Sequence, residues 1–479
     1  MTTDLCLRPA TELAALLRQR AVSARELLAE HLARIDRLNP ALNAIVTTTA
    51  DRALAAAAAA DEALARGELL GPLHGLPVAH KDLALTAGVR TTFGSPIHAD
   101  QVPDEDELFV ERIRDAGAVM LGKTNTPEFG AGSHTFNPVF GFTRNPHDPT
   151  RSAGGSSGGA AAGLAAGMVA VADGSDLGGS LRNPAAFCGV VGLRPSPGRV
   201  PSWPALDPAQ DLSVDGPMGR TVADAALLLA AMAGPDPRVP ISIDEAPSRF
   251  LPDRIERPPT RLRVALAPEA DGRMPIDPRI AAAVAGQART FEGLGWSVEP
   301  AFPDLAGARE AFLTLRARLF ADELGDLLAT DRDRLKATVV WNVEQGLALG
   351  DDEVSEARTL LGTIRERAAR FFERYDLLAM PTTQVLPFPV EVEYPTEVEG
   401  VAMPTYLDWM ESCWCVTVTA LPAISVPAGR VGRLPVGLQL VGPPRGDLEL
   451  LRAARAFERA AGVTPAPTPP AVRRPGGAR

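Results

Sequence analysis

Lysine is scarce in this chain: only three of the 48 Lys and Arg residues are lysines, at positions 81, 123 and 336. Arginine keeps its proton in proteins, whereas burial can make a lysine neutral. A chain that takes nearly all its positive charge from arginine therefore uses lysine where arginine cannot substitute. Lys81, in the dipeptide Lys81-Asp82, is accordingly a candidate titratable base.

Cysteine and histidine are scarce too, with four and six residues. The cysteines at 6, 188, 413 and 415 are too few and too scattered for a disulfide framework. Cys413-Trp414-Cys415 has the form of half a metal site, but no second Cys or His pair accompanies it. All six histidines lie at or before His147, so we expect no zinc site.

A long apolar run and an excess of positive charge are also lacking. The longest stretch of small apolar residues, 160–172, contains glycines and is shorter than the ~20 residues of a membrane span. Residues 1–20 include Asp4, Arg8 and Glu12, and no signal peptide is visible there. The net charge of −11 disfavours nucleic acid and anionic membranes as partners. These absences predict a cytoplasmic protein.

The apolar periodicity predicts strands that alternate with helices. Ser23 and Glu26 form a capping box in front of a helical apolar stripe. Strands are predicted at 76–80, 118–121, 169–172, 262–266, 297–299, 377–380, 423–426 and 436–441. Helices are predicted at 54–64, 107–115, 158–167, 221–233, 281–293, most of 306–376, and 447–460. This alternation is typical of an α/β layer fold, and the proline-rich stretch 235–259 is predicted to be a linker or surface excursion.

Residues 117–124 match the phosphate-loop pattern G-x-x-x-x-G-K-[ST] letter for letter. The four residues between the two glycines, 118–121, are those of a buried strand rather than of a loop with exposed amides. A helix precedes Gly117, and Pro127 falls where the helix of a phosphate loop would run. We therefore reject nucleotide binding. Lys123 follows the predicted strand and is expected to anchor structure by bonding backbone carbonyls.

The glycine cluster 154–159 contains two serines. On its own such a cluster is most often a flexible linker. Here a helix of small residues and a strand follow at once, so the cluster does not join independent units. Glycines permit the unusual backbone dihedrals that aim a serine hydroxyl. Ser156 and Ser157 are both candidates on these grounds.

A second cluster, 175–180, places two glycines directly before Ser180. Successive backbone N–H groups can then converge on one point, as in an oxyanion hole. The alternative is an ordinary turn before a helix. Asp176 and Arg182 are expected to pair across this turn and brace it. A titratable lysine, a relay serine and a serine beside converging amides would together make an acyl-transfer hydrolase.

A Ser-His-Asp triad is the main alternative chemistry. No G-x-S-x-G elbow surrounds Ser180, which argues against it. The histidines that remain as candidate bases are His74, His80, His98, His134 and His147. His80 adjoins Lys81 and would point to the opposite side of a strand. Whether His80 or Lys123 has a catalytic role stays open on the sequence.

Nine ordered segments carry a family resemblance. They read GLPVAHKD (75–82), LGKTN (121–125), RNP (144–146), AGGSSGG (153–159), DLGGS (176–180), CGVVGL (188–193), DGPMGR (215–220), LPAISVP (421–427) and PVGLQ (435–439). Together they closely resemble the amidase signature family of serine hydrolases, over about residues 10–460. So many ordered matches are specific to the family and say little about the substrate.

The resemblance implies a Ser–cis-Ser–Lys triad. In it Ser180 is the nucleophile, Ser156 the relay serine and Lys81 the base, and no metal or cofactor takes part. The oxyanion would be held by the amides of Leu177, Gly178, Gly179 and Ser180. Structural support would come from Ser157, Ser175, Asp176 and Arg182. The pKa of a free lysine is near 10.4, so burial must lower the pKa of Lys81 if this residue is to act as a base.

The resemblance also implies the fold and part of the pocket. We expect a single α/β domain over 1–464, whose central mixed twisted sheet is covered by helices on both faces. Its signature core spans about 70–235, 236–260 is an excursion, and 261–464 completes the sheet and the substrate pocket. A loose tail follows at 465–479.

The resemblance gives two further expectations about the site. Gly130, Ala131 and Gly132 are expected to line the pocket and leave room for bulky or aromatic acyl groups. Ser175 and Ala160 replace the threonine and serine that are common in the family, and neither is expected to touch the triad.

The implied activity is hydrolysis of small amides or anilides, with carbamates as further candidate substrates. The alternative is the glutaminase subunit of a tRNA-dependent amidotransferase. The tyrosine-rich helix of such subunits is absent here, since the chain has only Tyr375, Tyr394 and Tyr406. A non-catalytic binding protein would need a broken triad, whereas this one is complete. We expect a monomer or homodimer.

Overall fold

Alternating strands and helices build the chain, as the periodicity predicts. The computed structural model of the protein describes residues 4–462. The strands are β1 (Ile45–Thr48), β2 (Pro77–Lys81), β3 (Val119–Thr124), β4 (Phe136–Asn137), β5 (Gly141–Phe142), β6 (Arg144–Asn145), β7 (Asp148–Ser152), β8 (Val171–Asp176), β9 (Val191–Arg194), β10 (Val214–Gly219), β11 (Arg263–Leu266), β12 (Ser297–Pro300), β13 (Leu377–Pro381), β14 (Glu397–Val398), β15 (Val401–Ala402), β16 (Ala423–Val431) and β17 (Leu434–Val441). The helices are α1 (Ala10–Arg18), α2 (Ala24–Leu42), α3 (Ala50–Ala65), α4 (Leu108–Asp115), α5 (Gly158–Ala165), α6 (Arg182–Cys188), α7 (Val222–Met232), α8 (Pro252–Ile255), α9 (Pro278–Ala285), α10 (Ala288–Gly293), α11 (Ala308–Asp331), α12 (Ala337–Leu347), α13 (Asp351–Arg374), α14 (Glu411–Thr417) and α15 (Asp447–Ala461).

Eleven of the strands form one mixed sheet, in the order β1-β3-β2-β8-β10-β9-β16-β17-β13-β11-β12. Strands β3, β2 and β8 pair in parallel, and so do β13, β11 and β12. The central pairings, from β8 through β10, β9, β16 and β17 to β13, are antiparallel. The mixed α/β fold expected from the sequence is therefore present.

The sheet is covered by helices on both faces. Every residue of β2, β13 and β17 is buried. Since successive side chains of a strand point to opposite faces, both faces must be covered. One apolar cluster runs from the first helices to the last, from Ala10 to Phe457, as a single domain requires.

Several local signals appear as predicted. Ser23 Oγ accepts a hydrogen bond from the Glu26 amide at 3.1 Å, and the Glu26 carboxylate accepts one from the Ser23 amide at 2.8 Å. This capping box starts α2. Residues 119–124, inside the phosphate-loop look-alike, are strand β3 rather than a loop.

Two predicted elements differ from the structure. Strand β8 extends to Asp176 instead of ending at 172, because β10 pairs with it antiparallel up to Val214–Asp176. Segment 281–293 is two helices, α9 and α10, which are separated at Gly286.

The proline-rich excursion is anchored to the body of the protein. Phe250 and Ile255, which lie within it, are buried in the main apolar cluster. The predicted loose tail, 465–479, lies outside the described residues. In the part of the chain that is described, no helix is both long and apolar enough to cross a membrane.

Candidate active site

Lys81 is the last residue of strand β2. Its Nζ lies 2.7 Å from Ser156 Oγ and 2.9 Å from Ser175 Oγ. The backbone amide of Lys81 donates to Asp173 Oδ1 at 2.9 Å, which fixes the end of the strand. Lys81 is 2% exposed. The amine is thus held between two hydroxyls, away from solvent.

The electrostatic surroundings favour a neutral amine. Burial lowers the pKa of Lys81 from 10.5 to about 7, against the opposing effects of Asp215, Asp176 and Asp173. Near neutral pH, Lys81 therefore loses its proton far more readily than a free lysine does. A neutral lysine can accept a proton from a neighbouring hydroxyl.

The contact between Lys81 and Ser175 corrects one expectation. The sequence predicts that the serine found in place of threonine at 175 does not touch the triad, yet its hydroxyl is a direct partner of the amine. The physical reason is the longer β8, which brings Ser175 into the sheet opposite Asp215. Ala160 lies in α5 and is completely buried.

Ser156 lies in the loop before α5, and the Gly155–Ser156 peptide bond is cis. The neighbouring Ser157 is the N-cap residue of α5. Its amide donates to the Ser180 carbonyl at 3.2 Å, and its hydroxyl is 3.5 Å from the Ser175 carbonyl. Of the two serines, only Ser156 contacts Lys81 through its side chain, while Ser157 ties the two glycine clusters together.

Ser180 lies in the turn between β8 and α6, on the wall of the cavity that Ser156 also lines. It is 7% exposed. Gly179, directly before it, has φ +116°, and a Cβ atom there would lie 2.5 Å from the Cβ of Cys413. A glycine is therefore required at this position, for both backbone conformation and space.

The amides of this turn depart from the predicted set of four oxyanion donors. The Gly179 amide donates to Asp176 Oδ1 at 2.9 Å and is already engaged. Within residues 4–462, the amides of Leu177, Gly178 and Ser180 have no acceptor. Leu177, Gly178 and Ser180, whose N–H groups are thus unengaged, all line the cavity that Ser156 also lines.

The predicted pair of Asp176 and Arg182 braces the turn. Arg182 Nε donates to Asp176 Oδ2 at 2.9 Å and Nη2 donates to Oδ1 at 2.8 Å, a bidentate arrangement between two fully buried groups. Burial acts to raise the pKa of Asp176, but Arg182 and Arg194 outweigh it and hold that pKa well below its usual range. The carboxylate thus stays charged and keeps the Gly179 and Leu181 amides in place.

His80 and Lys123 lie away from the serines. His80 Nδ1 is 2.5 Å from Asp173 Oδ2, on the side of β2 opposite to Lys81, as strand alternation predicts. Lys123 Nζ donates to the Ala84 carbonyl and to Thr86 Oγ1, the latter at 2.9 Å. These two contacts of Lys123 hold loop 82–86 against β3. We therefore assign neither residue a role in proton transfer.

The other candidate histidines are engaged elsewhere. His134 lies between Ser152 Oγ and the Val390 carbonyl, and burial lowers its pKa to about 4. His147 Nε2 is 2.9 Å from the Cys188 carbonyl, and the Leu70 amide donates to His74. His98 packs on two phenylalanine rings in the wall of a larger, neighbouring cavity. No histidine among the described residues lines the cavity of Ser156 and Ser180.

The cavity at the two serines has a volume of about 150 Å³. Its apolar wall includes Leu83, Phe129, Leu319, Phe320 and Met410. It opens into an outer cavity of about 1270 Å³, and the two share wall residues such as Leu83 and Ser175. The small inner cavity beside the serines thus continues into the wider outer cavity.

Of the three residues predicted to form the pocket wall, two line the inner cavity. Gly130 and Gly132 line the inner cavity. At Gly130 an added Cβ would lie 3.7 Å from Ser156 Oγ and 3.1 Å from Leu83, so a side chain would narrow the site. Ala131 is not among the residues that line the cavity, and its side chain is fully buried in an apolar cluster that includes Val339.

Helix α11 supplies wall residues that the sequence analysis missed. They are Arg316, Leu319, Phe320 and Glu323. Their spacing of three and four residues puts them on one helical face, which is the signal that could have found them. That signal alone does not say which neighbour the face meets, so the assignment required the tertiary structure.

Two carboxyl groups, Glu107 and Asp215, lie in the wall of the outer cavity. Burial raises the pKa of Asp215 to about 6, and Ser202 donates to its carboxylate at 2.7 Å. Burial, and then the charge of Asp215, raises the pKa of Glu107 well above its usual range. Asp215 is also the carboxylate that most favours protonation of Lys81, so it moderates the effect of burial on the amine.

The buried amine should lower the stability of the protein. The unfolded chain holds the Lys81 proton up to a pH near 10.5, and the folded chain only up to about 7. The resulting decrease in the free energy of unfolding is zero above pH 10.5, grows as the pH falls, and reaches its full value below pH 7. We expect Lys81→Met to stabilise the protein at pH 6.5 by about 4–5 kcal/mol, and by much less at pH 10. Thermal unfolding midpoints of both proteins at the two pH values test this; a variant less stable at pH 6.5 would contradict it.

Comparison with known proteins identifies the family. The Amidase family model matches residues 26–451. The chain is 37% identical to an acylamidase of Rhodococcus erythropolis over 455 residues, which cover 94% of each chain. It is 38% identical to a glutamyl-tRNA(Gln) amidotransferase subunit of Moorella thermoacetica, over 94% of this chain and 96% of that one. The crystal structure of a bacterial aryl acylamidase of the amidase signature family superposes with a TM-score of 0.87 at 29% identity, covering 95% and 96% of the two chains.

These matches settle the class of the protein. The chain belongs to the amidase signature family and is an amide hydrolase. The sequence resemblance is thereby confirmed at the level of family and fold.

Proposed function

We propose that the protein hydrolyses small carboxylic amides and anilides through an acyl-enzyme on Ser180. The observation that carries this proposal is the 2.7 Å contact between Lys81 Nζ and Ser156 Oγ in a buried site. Ser156 and Ser180 line the same cavity, beside amides without an intramolecular acceptor in the described chain. A base, a relay hydroxyl, a nucleophile and oxyanion donors are thus within one small volume.

The proposed mechanism moves one proton in each half-reaction. Neutral Lys81 accepts a proton from Ser156, which takes one from Ser180 as Ser180 Oγ attacks the amide carbonyl. The amides of Leu177, Gly178 and Ser180 hold the oxyanion that forms, each worth roughly 3–4 kcal/mol in the transition state. The proton returns from Lys81 through Ser156 to the leaving amine as the C–N bond breaks. Water then cleaves the ester on Ser180 by the same path.

The hydroxyl of Ser175 has a positioning role in this mechanism. It is the second partner of Lys81 Nζ, at 2.9 Å, and it lies on the strand side of the amine. Because Lys81 Nζ donates a hydrogen bond to Ser175 Oγ, the lone pair of the neutral amine is left for Ser156. Ser175 therefore orients the base without touching the reacting carbonyl.

The shape of the cavity supports a small or aromatic acyl group. An apolar cavity of about 150 Å³ accommodates a molecule the size of benzene. The inner cavity has that volume, with aromatic walls at Phe129 and Phe320. The leaving amine would point into the much wider outer cavity, which suits an arylamine. The same chemistry would cleave a carbamate, and we propose carbamates as further substrates.

A glutaminase subunit of an amidotransferase is the second candidate. It is favoured by the 38% identity to the amidotransferase subunit of Moorella thermoacetica. Against it, the long helices α11, α12 and α13 contain no tyrosine, whereas such subunits carry a tyrosine-rich helix in this half of the chain. We therefore favour an enzyme that acts without a protein partner, nucleic acid or membrane. A cytoplasmic location and a monomeric or homodimeric state stay predictions.

A substrate panel tests this proposal. The purified protein is offered p-nitroanilides, aryl carbamates and glutamine, and the release of ammonia and of the chromophore are both followed. Hydrolysis of the anilides by the protein alone is the expected result. Ammonia release from glutamine with no anilide turnover would instead support the glutaminase subunit.

A further inference from the structure

Arg316 is a buried cation in the wall of the inner cavity. It belongs to α11, is 4% exposed, and lines the cavity together with Ser156 and Ser180. Its guanidinium lies over the ring of Phe320, 4.3 Å from the ring centre. This stacking fixes the plane of the guanidinium but leaves its positive charge in place.

No carboxylate among the described residues neutralises this charge. Arg316 Nη1 donates to Asn342 Oδ1 and Nη2 donates to the hydroxyl of Tyr406. A guanidinium has five N–H donors, and the remaining ones have no acceptor within residues 4–462. Salt bridges that include Arg316 are likewise absent from that part of the chain. Burial lowers the pKa of Arg316, and only Tyr406 acts in the opposite direction.

The Tyr406 hydroxyl adds a second unused donor. Its oxygen accepts from Arg316 and, at 2.8 Å, from Asn342 Nδ2. Both lone pairs of that oxygen are thereby engaged, so its own proton must be donated outward. No acceptor for it is present in the described part of the chain. Tyr406 lines the same inner cavity.

A comparison with Arg182 shows what Arg316 lacks. Both arginines are almost completely buried, but Arg182 has a bidentate carboxylate partner in Asp176. A buried charge without a partner is costly and is rarely retained. Glu323, the other charged residue of the inner wall, lies two helical turns further along α11. The inner cavity therefore holds, beside the serines, a positive charge that has no ion-pair partner among residues 4–462.

We propose that Arg316 and Tyr406 bind a carboxylate on the acyl part of the substrate, which makes monoamides of short dicarboxylic acids the preferred substrates. This inference rests on the proposed function, since it names the acyl group that Ser180 would receive. The guanidinium and the phenol proton supply charge-assisted donors to the two carboxylate oxygens. The volume of the inner cavity, close to that of benzene, limits the acyl chain to about four to six carbons.

Paired substrates test the carboxylate preference. The mono-p-nitroanilide of succinic acid is compared with its methyl ester, which has nearly the same shape and no charge. We expect wild-type kcat/KM to favour the carboxylate by about 10- to 100-fold, the range of a hydrogen bond to a charged group. Arg316→Gln and Tyr406→Phe should both reduce that ratio, the first to one or below. Equal use of both substrates by the wild type, or an unchanged ratio in Arg316→Gln, would overturn the proposal.

Arg332→Gln is the matched control. It removes the same charge at the C-terminal end of the same helix, but Arg332 is exposed, pairs with Glu344 at 2.6 Å and lines neither cavity. Its ratio should stay at the wild-type value. Circular dichroism checks that each variant is folded, and Tyr406→Phe, which loses a single oxygen, carries the test if Arg316→Gln does not fold.

A binding measurement separates this inference from the proposed function. In a Ser180→Ala background, calorimetry with succinic monoanilide should show binding that is at least about tenfold weaker after Arg316→Gln. Arginine-dependent binding without anilide hydrolysis in the wild type would support the carboxylate site and refute the proposed reaction. Anilide hydrolysis without arginine-dependent binding would refute the carboxylate site alone.

Discussion

Ser180→Ala is expected to lower kcat for a p-nitroanilide by roughly 10⁴- to 10⁶-fold, as the loss of a serine nucleophile does in other hydrolases. The attacking oxygen would be gone, while the amides of Leu177 and Gly178 would still bind a carbonyl. Substrate affinity should therefore fall much less than turnover. Steady-state kinetics with a fluorescent or chromogenic anilide measure the first effect, and calorimetry with the same compound measures the second.

Covalent labelling gives the sharper readout for Ser180. An aryl phosphonate should add one adduct to the wild type, which peptide mass spectrometry should locate at Ser180, and none to Ser180→Ala. Ser248→Ala, a change of the same size at an exposed serine that lines neither cavity, serves as the control and should label like the wild type. An adduct on Ser156 or Ser157 in the wild type would reject Ser180 as the nucleophile.

Lys81→Ala is expected to remove the alkaline rise of activity and to lower kcat/KM by about 10²- to 10⁴-fold, the contribution of a general base. Only the neutral amine accepts a proton, and burial lowers the pKa of Lys81 to about 7. Wild-type kcat/KM should therefore rise with pH below about 7, with one ionisation, and level off above it. The profile of the variant should be flat across that range.

Lys123→Met is the control for this pH profile. Lys123 is the other fully buried lysine, and burial lowers its pKa to about 8. Its amine contacts Ala84 and Thr86 rather than a serine of the cavity. We expect the variant to keep a rise centred near pH 7. If the rise disappears in Lys123→Met and persists in Lys81→Ala, the two lysines have been assigned the wrong way round.

The dual contact of Lys81 explains why a lysine is tolerated in this position at all. A buried amine without partners would be costly in either protonation state. Here it bridges Ser156 and Ser175, and three aspartates act on it at longer range. The stability lost at this site would accompany the proposed role of Lys81 as a base, which is the usual relation between stability and activity at catalytic centres.

Much of the site could be predicted because its signals are local. The strand that ends at Lys81, the glycines before Ser180 and the capping box at Ser23 each depend on residues a few positions apart. Backbone preferences of this kind act within a turn or a strand, so a single sequence displays them. The pairing of Asp176 with Arg182 belongs to the same class, since six residues separate them.

Other features depended on packing between distant segments. The direct contact of Lys81 with Ser156, 75 residues away, depends on how the two segments pack. The role of Ser175 follows from the pairing of β8 with β10. The burial of Ala131 outside the cavity follows from its cluster with α11 and α12. None of these has a signature in the neighbouring residues.

The sequence by itself determined the alternation of strands with helices and the family of the protein and, through the resemblance, the three residues proposed for its chemistry. The tertiary structure decided which amides stay unengaged, what lines the cavity, and that Arg316 meets Tyr406 across 90 residues of chain. The physical reason is that hydrogen bonding and backbone conformation are set over a few residues. The charge balance of a cavity, in contrast, is a sum over every segment that reaches it.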